Sequence, residues 1–217
     1  MTSLGLGIGI GLIHPRSASA RALSAANSIF GAGNVLTWGV LDDSPLGIVS
    51  SIPLRIGVSA NPKSTARATA TDVLGKTAAV FSANAASMGY VMRTGAKTQI
   101  TVARWDGALP FPDYSGLLTS NEHPGLIGGK GTSNLFTHGT VYRDGSATYA
   151  VDASPHYWAS TSESASVAEV LLGNAINNPA LNWVGPVWHV CQLSIAATPT
   201  QIAEYGAALK QLYPFLP

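Results

Sequence analysis

Beyond about residue 74 the chain is a series of short runs in which apolar and polar residues alternate, closed by Gly, Pro, Asn or Asp. Successive side chains of a strand point to opposite faces, so a period of two predicts half-buried strands. The runs are KTAAVF, GYVMR, TQITVARW, SGLLTS, GLIGG, NLFTH, TVYRDGSATYAV, HYWAS, AEVLLG and GPVWHVCQLSI. In TQITVARW, Ile100 and Val102 oppose Thr101, Ala103 and Trp105. TVYRDGSATYAV sets two alternating runs around Asp144-Gly145, a pair suited to a two-residue hairpin because both positions take positive φ. In GPVWHVCQLSI, Val187, His189, Cys191, Leu193 and Ile195 share one face, with Trp188 and Val190 on the other. Apolar on both faces, it predicts a strand covered on both sides. Many short strands between turns predict an antiparallel sandwich or barrel.

The period then changes to that of a helix. Thr198 stands as N-cap, Pro199 at the first helical position and Gln201 three residues after the cap, the spacing of a capping box. Ile202, Tyr205, Leu209 and Leu212 follow on one face, with Glu204 and Lys210 on the other. The helix is expected to stop at Tyr213, before Pro214.

Before residue 60 the pattern is weaker. SARALSAANSIFGAG predicts a short helix with Leu23, Asn27 and Phe30 on one side and Gly31 closing it. LGIVSSIPLRIGVSA is strand-like but interrupted by Pro53, so it reads as an edge or a linker. The loop NPKSTARATATDVLG follows. A boundary near residue 60 therefore separates an N-terminal arm or attachment segment, 1–60, from a sandwich domain, 61–217. At the start, Leu4, Leu6, Ile8, Ile10 and Leu12 alternate with Gly5, Gly7, Gly9 and Gly11. One reading is an extended arm that pairs with a partner chain, those five side chains forming the interface. The other is a signal peptide with SASARA as its cleavage region, although no Lys or Arg precedes the apolar stretch.

Composition narrows the partners. Of 217 residues, 46% are hydrophobic and only 11% charged, with a net charge of +1. Ordinary soluble domains carry about 25% charge. No basic field exists for nucleic acid or an anionic membrane, and no run approaches the ~20 apolar residues of a bilayer span. So weakly charged a surface repels its own copies poorly, which favours burial in an assembly. The single cysteine, Cys191, excludes an intrachain disulfide and sits in an apolar run as a buried thiol.

The order of these pieces resembles the concanavalin A-like lectin/glucanase superfamily in its laminin-G-like form. WVGPVWHVCQLS followed by ATPTQIAEYGAALKQLYP looks like that family's closing strand, loop and helix. GKTAAVFSANAASMGYVMRTG is similar to its opening strand pair, TQITVARW to the next strand, and TVYRDGSAT to its hairpin. The resemblance covers roughly residues 74–217. It implies an antiparallel jelly-roll sandwich with a short C-terminal helix. His189 stands where the family often has Glu. The glucanase branch places two glutamates around an aspartate on one strand, where alternate carboxylates act as nucleophile and acid. Here Glu122, Glu163, Glu169 and Glu204 have no such context. The expectation is therefore no enzymatic activity.

Other chemistry is sparse. His14, His123, His138, His156 and His189 show no metal-ligand spacing, so no metal or cofactor is expected. GLGIGIG and GGKGTS are not phosphate loops. The loop RWDGALPFPDYSG brings Trp105, Asp106, Phe111, Asp113 and Tyr114 together. Aromatic faces stack on sugar C–H groups and carboxylates hold hydroxyls, so this is a candidate glycan loop; the alternative is that the loop folds its own rings inward. DASPHYWAS, with His156, Tyr157 and Trp158, is a second candidate.

Domains resembling this family occur in bacteriophage tails and capsids, adhesins and secreted enzymes. The leading expectation is a virion structural protein of a tailed bacteriophage: a decoration, fibre or tail component. It would form homo-oligomers, contact other virion subunits through the arm, and display a sandwich for a cell-surface glycan. The alternatives are a secreted carbohydrate-binding module and, less favoured, a glycoside hydrolase. Deleting residues 1–12 is expected to leave the melting temperature of the sandwich nearly unchanged while abolishing assembly, read by size exclusion with light scattering. A truncated chain that assembles normally removes the arm from that role.

Overall fold

The computed structural model describes residues 17–63, 67–82, 89–120, 124–137, 139–167, 169–174 and 182–217. The alternating Leu4–Leu12 segment, His14, His123 and His138 lie outside them.

The element order is α1 (Ala18–Phe30), β1 (Val35–Val40), β2 (Gly47–Ile48), β3 (Thr69–Val73), β4 (Lys76–Phe81), β5 (Tyr90–Met92), β6 (Thr98–Ala103), β7 (Ser115–Ser120), β8 (Leu126–Gly128), β9 (Leu135–Phe136), β10 (Thr140–Arg143), β11 (His156–Thr161), β12 (Val170–Leu172), β13 (Gly185–Leu193) and α2 (Pro199–Leu212). One sheet runs β10-β11-β6-β13-β4-β3-β2, with β1 added beside β13; the other runs β5-β12-β7-β8-β9. Among the described residues all the strand pairs are antiparallel. The chain crosses repeatedly from one sheet to the other, and the two sheets form the antiparallel sandwich that the runs predicted.

Two apolar layers result. Between the sheets lie Phe81, Tyr90, Trp105, Leu118, Trp158, Trp183, Val187 and Val190. On the outer face of the larger sheet, Trp38, Ile100, Tyr157, Trp188, Cys191, Ile202, Tyr205, Leu209 and Tyr213 pack under α1 and α2. The strand β13 is buried along its whole length. It pairs with β6 along one edge, and on the other with β4 at Gly185–Val187 and β1 at His189–Leu193.

A bulge in β13 corrects the expected face assignment. Val187 pairs with Ala103 and His189 with Val102, so Trp188 is the extra residue. The alternation slips by one there: Val187 joins Val190 in the inter-sheet core, whereas Trp188 and Cys191 face the helices. A bulge leaves a backbone group off the ladder. Tyr213, just past α2, donates its hydroxyl to the Trp188 carbonyl at 2.9 Å. His189, fully buried, accepts at Nε2 from the Tyr205 hydroxyl at 2.9 Å, and that hydroxyl accepts the Trp38 indole N–H at 2.7 Å. Burial pushes the His189 pKa down to about 3, the Gly39 backbone offsetting part of the fall, so the ring is neutral. The Cys191 thiol is likewise pushed up by burial.

The capping box of α2 forms as expected: the Gln201 N–H donates to Thr198 Oγ1, and the Gln201 side chain accepts the Thr198 N–H. The helix α1 buries Ala22, Ala26 and Phe30 fully, with Leu23 partly buried against the same layer. Small residues let it sit close against α2, where Phe30 meets Tyr205 edge-on at 5.3 Å and the Gln201 amide donates to the Ile29 carbonyl.

The expected boundary at residue 60 does not divide the packing. Residues 1–16 lie outside the description, and 17–60 pack into the sandwich. The strand β1 pairs with the central β13, and Leu41, Val49, Ile52 and Ala60 enter the inter-sheet core. Pro53 lies in an irregular stretch, consistent with its missing N–H.

The Asp144-Gly145 turn forms with φ of 52° and 87°, and Arg143 and Ser146 exchange backbone hydrogen bonds across it. The run after it is not the partner strand, however. β10 pairs with β11, while Tyr149 and Ala150 leave to bridge Asn134 and Leu135.

Replacing Tyr213 by Phe leaves the Trp188 carbonyl buried without its donor. The expected cost is about 1–3 kcal/mol, measured by urea denaturation; a change below about 0.5 kcal/mol would show that the bulge does not need it.

Candidate functional site

The loop from Arg104 to Tyr114 turns two of its three rings, Trp105 and Phe111, inward, the outcome anticipated as the alternative. Trp105 is buried, with Phe111 at 4.7 Å and Trp183 edge-on at 4.9 Å, and its indole donates to the Ala108 carbonyl at 3.1 Å. Gly107 and Gly128 permit this: a Cβ on either would strike the Trp105 or Phe111 ring at under 3 Å. Asp106 is held by Arg104, Nε to Oδ1 at 2.5 Å and Nη2 to Oδ2 at 2.9 Å. Tyr157 and Trp158 are buried on opposite faces of β11, Tyr157 under α2 and Trp158 between the sheets. Gly206 makes room for Tyr157, since a Cβ there would sit 2.2 Å from its ring. None of Trp105, Tyr157 and Trp158 presents a ring face to solvent.

Asp113 and Tyr114 have a different fate. Tyr114 is 46% exposed and meets Phe136, 42% exposed, edge-on at 5.9 Å; Tyr149 is 57% exposed. These three rings line an open groove of about 610 Å³. It lies where the edge strand of each sheet, β9 and β10, leaves the side of the sandwich uncovered. Lys130, Thr132, Asn134 and Thr137 complete its polar lining. Asp113 stands at the rim, 3.8 Å from Lys130 Nζ, and its Oδ1 accepts the Tyr114 N–H. Among the described lining residues the charged side chain is Lys130, with no carboxylate or imidazole.

Two parts of the sequence supplied this groove without announcing it. GGKGTS, dismissed as a phosphate cradle, forms a tight turn in which Thr132 N–H and Oγ1 both bond the Gly129 carbonyl and Gly131 takes φ of 71°. Tyr149, in the run after the Asp-Gly turn, reaches the groove because its carbonyl accepts the Leu135 N–H at 2.8 Å. The signal available in the sequence was an aromatic on the run opposite a Gly-rich turn, but only the strand partner reveals that they meet.

Next to the groove is the only His–carboxylate cluster among the described residues. His156, at the start of β11, has Nδ1 2.5 Å from Asp144 Oδ2 and Nε2 2.9 Å from Asp152 Oδ1. Arg143 reaches Asp152 Oδ2 at 3.2 Å and the Ala150 carbonyl at 2.6 Å. Burial alone would lower the His156 pKa, but the hydrogen bonds to Asp144 and Asp152 outweigh it and the net shift is upward. Asp152 is affected oppositely: burial raises its pKa, the His156 bond lowers it, and the net shift is downward. Burial and the Asp144 charge push Tyr157 up to about 12. No metal-ligand cluster occurs among the described residues.

No protein-family model matches the sequence, and no curated protein does. Among solved structures, the chain is similar to Trypanosoma rangeli sialidase in complex with the inhibitor DANA, at 11% identity and a TM-score of 0.51, over 88% of this chain and 37% of that one. It is also similar to the same sialidase in complex with 2,3-difluorosialic acid, a covalent intermediate, at 12% identity and a TM-score of 0.51, over 90% and 38%. The chain thus spans little more than a third of the sialidase's length. At this identity the likeness is one of fold: an all-β sandwich.

The two sets of aromatics differ in what they hold up. Trp105→Ala is expected to cost about 3–5 kcal/mol through the cavity it leaves, whereas Tyr114→Ala and Tyr149→Ala stay within about 0.5 kcal/mol of the parent. Thermal unfolding measures all three, and a Tyr149→Ala loss as large as that of Trp105→Ala would place Tyr149 in the core.

Proposed function

We propose that the protein is a non-enzymatic glycan-binding sandwich whose sugar site is the groove between β9 and β10. The observation that carries this is the grouping of Tyr114, Phe136 and Tyr149, all exposed, around one concavity with amide, hydroxyl and ammonium groups beside them. Exposed rings in a cluster mark binding surfaces more often than isolated ones do. Rings stack on the C–H faces of a sugar while Lys130, Thr132 and Asn134 bond its hydroxyls. The sialidase of like fold is seen in complex with the inhibitor DANA and with 2,3-difluorosialic acid, which agrees with a glycan-related sandwich.

Binding without turnover is the reading the groove favours. Retaining and inverting glycosidases commonly need two carboxyl groups flanking the bond. The described groove residues offer none, and Asp113 sits at the rim against Lys130. No cofactor is part of the proposal.

The context we propose is a tailed-bacteriophage virion, in which this sandwich is the displayed part of a homo-oligomeric decoration, fibre or tail component. The 11% charge and the Leu/Ile–Gly alternation of residues 4–12 support it. A secreted carbohydrate-binding module has the same site without the particle.

An array of immobilised glycans, followed by calorimetry on the best-retained one, tests the site. Tyr114→Ala and Tyr149→Ala are each expected to weaken binding by about tenfold, and neither parent nor variants should hydrolyse that glycan. Retention of no glycan, or full affinity in the double variant, defeats the proposal. Reproducible turnover lost in Asp113→Asn would replace binding with catalysis.

A further inference from the structure

We propose that His156 is the positioning residue for the Tyr149 wall of the groove: as an imidazolium it ties the β10–β11 end of the larger sheet to residues 149–152, and losing one proton undoes one of its two ties. The functional meaning rests on the groove being a binding site; the tie itself does not.

The geometry fixes the protonation. Both ring nitrogens of His156 lie within hydrogen-bond distance of carboxylate oxygens. Each carboxylate is already an acceptor elsewhere: Asp144 Oδ1 takes the Tyr157 N–H at 3.2 Å, and Asp152 takes the Ser154 N–H at 2.7 Å and Arg143 at 3.2 Å. With the carboxylates accepting on all sides, the ring donates from both nitrogens, and only imidazolium has two N–H groups. Charge-assisted bonds of this kind are about twice as strong as neutral ones.

The tie leads directly to Tyr149. Asp152 stands three residues beyond it in sequence. The segment between them is pinned on one side by Leu135 N–H to the Tyr149 carbonyl at 2.8 Å and Val151 N–H to the Ser133 carbonyl at 2.7 Å. On the other side it is held by Arg143 on the Ala150 carbonyl and by His156 on Asp152. The ladder to residues 133–135 is short, so the second set of ties shares in holding the wall.

Neutral imidazole keeps one N–H, so one carboxylate must then face a lone pair. The Asp152 side chain is 50% exposed and that of Asp144 only 18%. Water can replace the lost bond at Asp152 but reaches Asp144 poorly, so Asp152 is the side that lets go. The other groups around the ring do not substitute for the proton. β10 contributes Arg143, already on Asp152. β6 places Ala103 opposite His156, with Arg104 next and bound to Asp106. β11 adds Tyr157 and the Trp158 ring, edge-on at 5.6 Å, and α2 adds Ala203 beside Gly145. Because the folded-state pKa of His156 is raised, the tie is complete below the ordinary histidine value of about 6.5 and is lost as pH rises through the folded value.

Hydrogen exchange at single amides, corrected for intrinsic base catalysis, reads this without any ligand. Protection of Val151 and Leu135 is expected to fall about fivefold as pH rises through the His156 titration followed by imidazole NMR, while Cys191 in β13 keeps its protection. His156→Gln, which cannot donate on both sides, should show low protection with no step. Asp152→Asn should remove the step while leaving His156 to titrate. A flat wild-type profile across that titration, or a step that persists in either variant, overturns the proposal. Because no sugar is used, its failure leaves the glycan reading standing, and a failed glycan array leaves the tie standing.

Discussion

The burial of β13 on both faces is the constraint from which the rest of the architecture follows. Nine consecutive residues lose their solvent, so every backbone group must be paired and both faces must be covered. The smaller sheet covers one face. Among the described residues the other face is covered by α1, α2 and the residue after it, which lay Phe30, Ile202, Tyr205, Leu209 and Tyr213 over it. A β-rich fold therefore carries helices because its central strand has two apolar faces and its second sheet can shield only one.

The polar atoms buried by this arrangement explain the aromatic choices in the helical layer. His189 is kept neutral by burial and bonded through the Tyr205 hydroxyl, which also receives Trp38. The bulge at Trp188 frees a carbonyl that Tyr213 answers. Tyr205 in the middle of α2 and Tyr213 just past its end thus satisfy groups that leucines of similar bulk would strand. A buried acceptor without its donor costs more than the bond contributes when made, so these hydroxyls specify the register of α2 against the strand more sharply than apolar contact does.

What was legible in the sequence followed from local rules. The capping box around Thr198 and the positive-φ pair Asp144-Gly145 depend on a few adjacent residues, and both formed as read. The strand runs gave the sandwich because a period of two survives wherever one face is buried. Long-range pairing escaped the reading. The bulge at Trp188 adds no sequence mark, yet it moved Val187 to the opposite face. The strand VLTWGV was hidden inside a segment read as attachment, because a strand buried at five of its six positions beside a central strand lacks a polar rhythm. In the candidate loop, composition could not tell inward rings from outward ones. Gly107 and Gly128, which leave the space that Trp105 and Phe111 fill, decided it for those two rings. Tyr114 stayed outside, where it meets Phe136 from a strand it does not follow in sequence.

The place of the groove also follows from sheet architecture. A sandwich fills the space between its sheets with side chains, and here Trp105, Trp158 and Trp183 are buried in it. Concave surface remains where the edge strands of the two sheets end side by side, at β9 and β10. Edges carry unpaired backbone groups and invite association. The chain meets that hazard by bringing residues 149–151 across to the Ser133–Leu135 segment, which caps part of the edge and simultaneously sets Tyr149 opposite Tyr114 and Phe136. Backbone bonds at Tyr149 and Val151 hold one side of the segment. Its remaining anchors, Arg143 and the His156–Asp152 contact, come from the larger sheet. The same few residues therefore close an exposed edge, shape a concavity and connect it to an ionisable side chain, so changes that loosen the edge reach the groove before they reach the core.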